Sequence, residues 1–152
     1  MKLSTKGRHA ITAMMELTLR HDKGPVTLAD ISVEQSISVS YLEQLFARLR
    51  NNDLVTGMRG PGGGYCLRRP ATEITIAEIL SAVDDAMPAR RERIPGEQWP
   101  QSIIMWNQLS ERIYNYLNDM TLADAVSQQQ EGSKEGSSDA GFRPDDFKQS
   151  AA

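Results

Sequence analysis

Ser38, Ser40, Tyr41, Glu43 and Gln44, followed one turn on by Ala47 and Arg48, gather hydroxyls, a carboxylate, an amide and a guanidinium in one short stretch. Interleaved with them, Leu42, Leu45, Phe46 and Leu49 recur at i, i+3, i+4 and i+7, so a helix here buries the apolar set and turns Ser40, Glu43, Gln44 and Ala47 outward. Such groups can read base edges in a major groove. A carboxylate accepts from cytosine N4, a Gln amide pairs with adenine, and Ser or Tyr hydroxyls reach bases or phosphates. On an isolated helix the same residues are an ordinary solvated face. A second stretch changes the weighing: Arg59 precedes Gly60-Pro61-Gly62-Gly63-Gly64, a tip so poor in side chains that backbone can approach a partner closely. A guanidinium carried there suits a narrow minor groove, and Lys6, Arg8, Arg48, Arg50, Arg68 and Arg69 add cations for phosphates.

Other chemistries lack their parts. Nucleophilic catalysis needs an activating base, and His9 and His21 are the only histidines, with no Ser, His and acid grouping around them. The glycine cluster lacks the Gly-Lys-Ser/Thr ending of a phosphate loop and leads toward a strand, not a helix N-terminus. Cys66 is the one cysteine and the two histidines are not at an i, i+4 spacing, so no metal-ligand pattern is present and a buried strand position is expected for Cys66. The residues therefore predict a binding protein with no catalytic site and no metal site.

The elements that must position these residues follow from periodicity and breakers. Ala10, Ala13, Met14 and Leu17 predict a helix from Lys6 to about Arg20, stopped by Gly24-Pro25. Thr27 caps a short helix from Leu28 to about Gln35 with Leu28, Ala29 and Ile31 inward; Ser36-Ile37-Ser38 then turns the chain into the helix of Leu42 to Leu49. Two short helices about such a turn are a helix-turn-helix pattern. Segments 54–58 and 65–67 pair as a hairpin, with Pro61-Gly62 suiting a turn that has positive φ at its third position. Thr75 and Glu78 open a fourth helix, and a long helix spans about Ser102 to Asn118. On it Trp106, Leu109, Ile113, Tyr116 and Met120 follow the 3, 4, 3, 4 spacing of a coiled-coil seam, which calls for a partner helix. A final short helix, Leu122 to about Gln128, is capped by Thr121, and residues 131–152 read as a disordered tail.

The 152 residues give a net charge of −3, but the halves differ: residues 1–70 hold ten Lys or Arg against six Asp or Glu, and residues 71–152 hold seven against fourteen. A front half at +4 and a rear half at −7 fit an anionic partner met by the front. One cysteine forbids an internal disulfide and no apolar run spans a membrane, so a cytoplasmic protein without membrane contact is expected. The fold class is mainly α with a small β-wing. Its parts are a winged helix-turn-helix domain (1–84), a loop (85–101), a dimerisation helix with a short terminal helix (102–130) and the tail (131–152).

Lys6-Gly7-Arg8, Ala29-Asp30-Ile31-Ser32, Ser40-Tyr41-Leu42-Glu43-Gln44-Leu45-Phe46, Arg59-Gly60-Pro61-Gly62-Gly63-Gly64-Tyr65 and Met120-Thr121-Leu122 closely resemble the IscR-type family of winged-helix transcriptional regulators, over roughly residues 1–130. The resemblance implies a homodimer joined through the long helix on partly palindromic double-stranded promoter DNA. It places Ser38, Ser40, Tyr41, Glu43 and Gln44 at the major groove, Arg59 with Gly60 at the minor groove, and Arg48 among the DNA contacts. Sensors of this family hold a 2Fe-2S cluster on three cysteines in the loop before the dimer helix and a histidine at its start. Between Asp85 and Trp106 this sequence has neither Cys nor His, so a repressor without the cluster is expected. Two alternatives stand beside it. One is a sensor with an unusual metal or small-molecule site, drawing on His9, Cys66 and a carboxylate; the other is a winged-helix module that docks another protein.

Overall fold

The computed structural model describes residues 4–85 and 95–135. Within them the chain forms α1 (Thr5–Leu19), α2 (Leu28–Gln35), α3 (Val39–Asn51), β1 (Val55–Met58), β2 (Gly64–Leu67), α4 (Ile76–Val83), α5 (Gln101–Asp119) and α6 (Leu122–Glu135). The expected fold class is found, helices with a two-stranded antiparallel wing. Side-chain caps set the starts: Ser4 Oγ accepts from Gly7 N, Thr27 Oγ1 from Asp30 N, and Ser38 Oγ from Tyr41 N, each satisfying an N–H that the helix leaves without a partner.

One core holds the first four helices and the wing. Ala10, Ala13, Met14 and Leu17 of α1 meet Ile31 of α2, Leu42, Leu45, Phe46 and Leu49 of α3, Val55 of β1 and Ile79, Leu80 and Val83 of α4. Gly7 lets α1 and α4 approach: a Cβ there would lie 2.6 Å from Leu80 Cδ2. Arg20 joins α1 to α2, reaching Glu16 at 3.3 Å and Glu34 at 3.1 Å, while Gln35 Nε2 donates to Glu16. In α2 only Ile31 is fully buried. Ala29 is exposed, against expectation, because two turns of helix present a single stripe to the core and Ala29 falls on its far side.

In the wing Val55 pairs with Leu67 and Met58 with Gly64. A third short edge, absent from the sequence reading, is Val26, whose N–H donates to Tyr65 O at 3.0 Å and whose carbonyl accepts from Tyr65 N at 2.8 Å. The second half of the chain is tied in by backbone as well. Ile76 N donates to Met120 O and Leu122 N to Ile74 O, a bridge that fixes the α5–α6 junction beside the start of α4. The last helix continues to Glu135, past the expected end near Gln128, so the tail predicted from Glu131 onward begins with helix. Gln128, Gln129, Gln130 and Glu131 are adequate helix formers, and this polar extension needs no apolar stripe to continue. The rest of that tail, and 86–94 of the predicted loop, lie outside the described residues.

The Thr75 cap carries a pH dependence. Glu78 accepts from Thr75 N at 2.9 Å and from Arg69 Nη2 at 3.0 Å, while Thr75 Oγ1 accepts from Glu78 N at 3.2 Å. Partial burial pushes the Glu78 carboxyl up, but the bonds from Thr75 and Arg69 and the Arg69 charge outweigh it and hold the group below its ordinary value. A carboxyl depressed by folding adds stability above its unfolded value and loses that contribution as pH falls through the folded one. Glu78→Gln is therefore expected to lower the melting temperature at pH 7, with the gap to wild type narrowing as pH falls through the depressed folded-state value. Thr75→Ala should cost about 1 kcal/mol. A pH-independent gap in thermal melts of Glu78→Gln would contradict the role of the charge.

Candidate nucleic-acid interface

α2 and α3 are joined by a turn that Ser36 enters in the left-handed region, at φ 53°. Ser32 closes it from both sides: its hydroxyl donates to Ile37 O and its carbonyl accepts from Ile37 N. With Leu42, Leu45, Phe46 and Leu49 buried, α3 turns Ser40, Glu43, Gln44 and Ala47 to solvent, and Ser38 is exposed at its cap. Tyr41 is half-buried. Its ring stands edge-on to His9 of α1, with centroids 5.5 Å apart and planes at 82°, so its placement depends on α1 as well as α3.

Arg48 is engaged inside the protein. Its guanidinium donates to Val83 O at 3.2 Å, an orphan carbonyl at the end of α4, and meets Asp85 with two bonds of 3.0 and 3.3 Å. Partners 37 positions apart in sequence gave no local signal of this pairing.

The wing tip is built for backbone. Gly63 N donates to Gly60 O at 2.9 Å and Gly62 has φ 75°, so Gly60 to Gly63 form the turn expected from Pro61-Gly62, with positive φ at the third position. Side chains are excluded further in: a Cβ on Gly63 would lie 2.5 Å from Met58 O, and one on Gly64 2.5 Å from Val26 O. Arg59 and Gly60 are both exposed at this tip. Behind it Tyr65 packs on Phe46, with ring centroids 4.8 Å apart. Cys66 is only half-buried, contrary to the expected buried position, because it alternates with Tyr65 and falls on the outer face of the hairpin, its Sγ 3.8 Å from Met58 Sδ.

α5 carries two stripes. Ile103, Asn107, Ser110, Ile113, Leu117 and Met120 are half-buried, and Leu117 and Met120 pack on the chain's own core. Trp106, Leu109 and Tyr116 are exposed, Trp106 at 60% and Tyr116 at 67%. Ile104, Met105 and Tyr114 are exposed beside them, residues the single heptad register passed over. The five predicted seam residues therefore divide, with Trp106, Leu109 and Tyr116 facing outward and Ile113 and Met120 half-buried.

Residues 3–128 match the family model Rrf2, described as an iron-dependent transcriptional regulator. This chain belongs to the Rrf2 family. The HTH-type transcriptional regulator IscR of Serratia proteamaculans (strain 568) is 49% identical over 133 residues, covering 85% of this chain and 81% of that protein. Its counterpart in Erwinia tasmaniensis is 47% identical over 134 residues, covering 86% and 81%. Among solved structures, IscR of T. potens superposes with a TM-score of 0.73 at 32% identity, covering 87% of this chain and 90% of that one. CymR, the global cysteine regulator of B. subtilis, gives 0.72 at 34% identity, covering 84% and 98%. This Rrf2 protein is a DNA-binding transcriptional regulator of winged-helix fold.

A thiolate-held iron–sulfur cluster does not fit the donors of this Rrf2 chain. Its one cysteine lies in the wing, and among the described residues no three His, Cys, Asp or Glu side chains converge. Also among the described residues, no helix is long and apolar enough to cross a membrane.

Because Gly64 sits at φ 152° against Val26, Gly64→Ala must push β2 off its third edge. The expected result is a folded protein by far-ultraviolet circular dichroism with duplex affinity reduced at least tenfold, measured by fluorescence anisotropy. Unchanged affinity would separate the wing from DNA binding.

Proposed function

We propose that this Rrf2 regulator is a homodimeric repressor that binds partly palindromic promoter DNA without an iron–sulfur cluster. α3 enters the major groove with Ser38, Ser40, Tyr41, Glu43 and Gln44, and the wing places Arg59 and Gly60 at the adjacent minor groove. The observation carrying this reading is the placement of an exposed polar face on α3 beside an exposed Arg59 on a side-chain-poor tip. Arg48 supports the interface indirectly, by fastening α3 to the end of α4.

The partner helix is supplied by a second copy. Trp106, Leu109 and Tyr116, with Met105, form an apolar face that water covers in the single chain. Two such faces in antiparallel contact would make a dimer, and palindromic half-sites require its two α3 helices one DNA turn apart.

The deciding experiment incubates chelator-treated protein with fragmented genomic DNA and sequences what is retained. A shared, partly palindromic motif is expected, and recovery of unrelated fragments would overturn cluster-free recognition. On the selected site, Arg59→Ala should cost about 1–3 kcal/mol if the guanidinium makes a good base contact; equal affinity would remove Arg59 from the interface. Trp106→Asp should leave the monomer fold intact, the side chain being 60% exposed, and shift sedimentation from dimer to monomer. An intact dimer would exclude this face as the joint.

A further inference from the structure

Beside the reading face, between the end of α3 and the free edge of β1, lies an open cleft of ≈ 470 Å³. Arg50 enters it from α3, Arg59 from the wing tip and Arg68 from just past β2, and no acidic residue is among those that line it. Three exposed guanidinium groups around one cleft make a local positive field that favours an anion there. Among the described residues they make a single ion pair, from Arg68 Nη1 to Asp53 Oδ1 at 3.0 Å. Asp53 stands at the rim. It lies just past Asn52, the C-cap of α3, holds the left-handed region at φ 58°, and donates its N–H to Arg50 O at 3.0 Å.

We propose that this cleft is a phosphate site, in which Arg50 and Arg68 clasp a backbone phosphodiester of the bound duplex and Asp53 is the internal anion that this phosphate displaces from Arg68. The proposal rests on the DNA-binding reading and adds to it the anchor that sets the wing's register on the sugar–phosphate backbone. Guanidinium forks match phosphate oxygens in pairs, whereas base edges would need the acceptors and donors of the grooves. A phosphodiester is favoured over a free anion because the cleft is open and runs into the tip that carries Arg59. A rod-like polyanion passing that tip would lie along it. Asp53 then works against binding: it holds Arg68 in the free protein and places a negative charge next to the incoming backbone.

The test measures affinity for the selected operator and for an unrelated duplex between about 50 and about 200 mM salt, with thermal melts to verify folding of each variant. Arg50→Gln and Arg68→Gln are expected to weaken both duplexes alike. Each should reduce the log–log salt slope by about 0.9, so that affinity lost over this fourfold range of salt is about 3.5-fold less per variant. Asp53→Asn, which keeps a residue tolerant of left-handed backbone, should tighten both duplexes; combined with Arg68→Gln it should give a smaller gain. If Asp53 and Arg68 only brace the hairpin, Asp53→Asn weakens binding and the proposal falls. It falls equally if wild type binds its operator but Arg50→Gln and Arg68→Gln keep its slope. Wild type that binds no duplex overturns the DNA reading itself, and this proposal with it. Millimolar inorganic phosphate is a further arm. It should not raise the melting temperature above chloride at equal ionic strength, and a rise lost in Arg50→Gln would assign the cleft to a free anion instead.

Discussion

The tilted ring contact of Phe46 with Tyr65 is the one on which the rest of the α3 and wing surface depends. Phe46 is fully buried in the middle of α3, and its ring meets Tyr65 of β2 with planes inclined at 58°. It sets the angle between helix and hairpin. The backbone of Tyr65 is in turn held on its other side by two hydrogen bonds to Val26, the residue that leads into α2. α3, the wing and α2 are thereby held as one unit, and the exposed groups they carry keep their mutual distances without a partner to order them. Such preorganisation lowers the entropy lost on binding.

Charge is distributed over this unit unevenly and with local logic. Arg20, Arg48 and Arg69 are engaged with carboxylates of the same chain, joining α1 to α2, α3 to the end of α4, and β2's exit to the start of α4. They act as internal fasteners. Arg59 makes no such pair among the described residues, and Glu43 stands on the exposed face of α3. A carboxylate close to a polyanion is repelled unless a base donor meets it, so in the proposed complex Glu43 would favour selectivity over general affinity.

Most of this architecture could be read from residue spacing. The apolar stripes of α1, α3 and α4 are long or regular enough to declare their buried faces, and Thr75 with Glu78 announces a cap within four residues. The features that escaped are those made by partners distant in sequence or by single residues. Val26 forms a bridge of one residue, too short for any alternation to show. Arg48 looks like an outward cation until Asp85 and the Val83 carbonyl come beside it. On α5 an apolar residue occurs at nearly every turn of both sides, so one heptad register could be drawn while the helix in fact divides its apolar residues between its own core and the open face. Cys66 shows the same limit in a strand, where a half-covered hairpin gives its two faces similar residue types.

The two backbone bonds that join Ile76 to Met120 and Leu122 to Ile74 have a mechanical consequence. They pin α5 at its C-terminal end. A helix of 19 residues extends about 28 Å from that pin, so a tilt of about 5° there swings its far end by about 2.5 Å. The long helix is a lever whose fulcrum sits beside α4, and α4 is the element that Arg48 fastens to the recognition helix. Any tilt of a few degrees at that small bridge would be geared up into ångströms of travel at the distal tip.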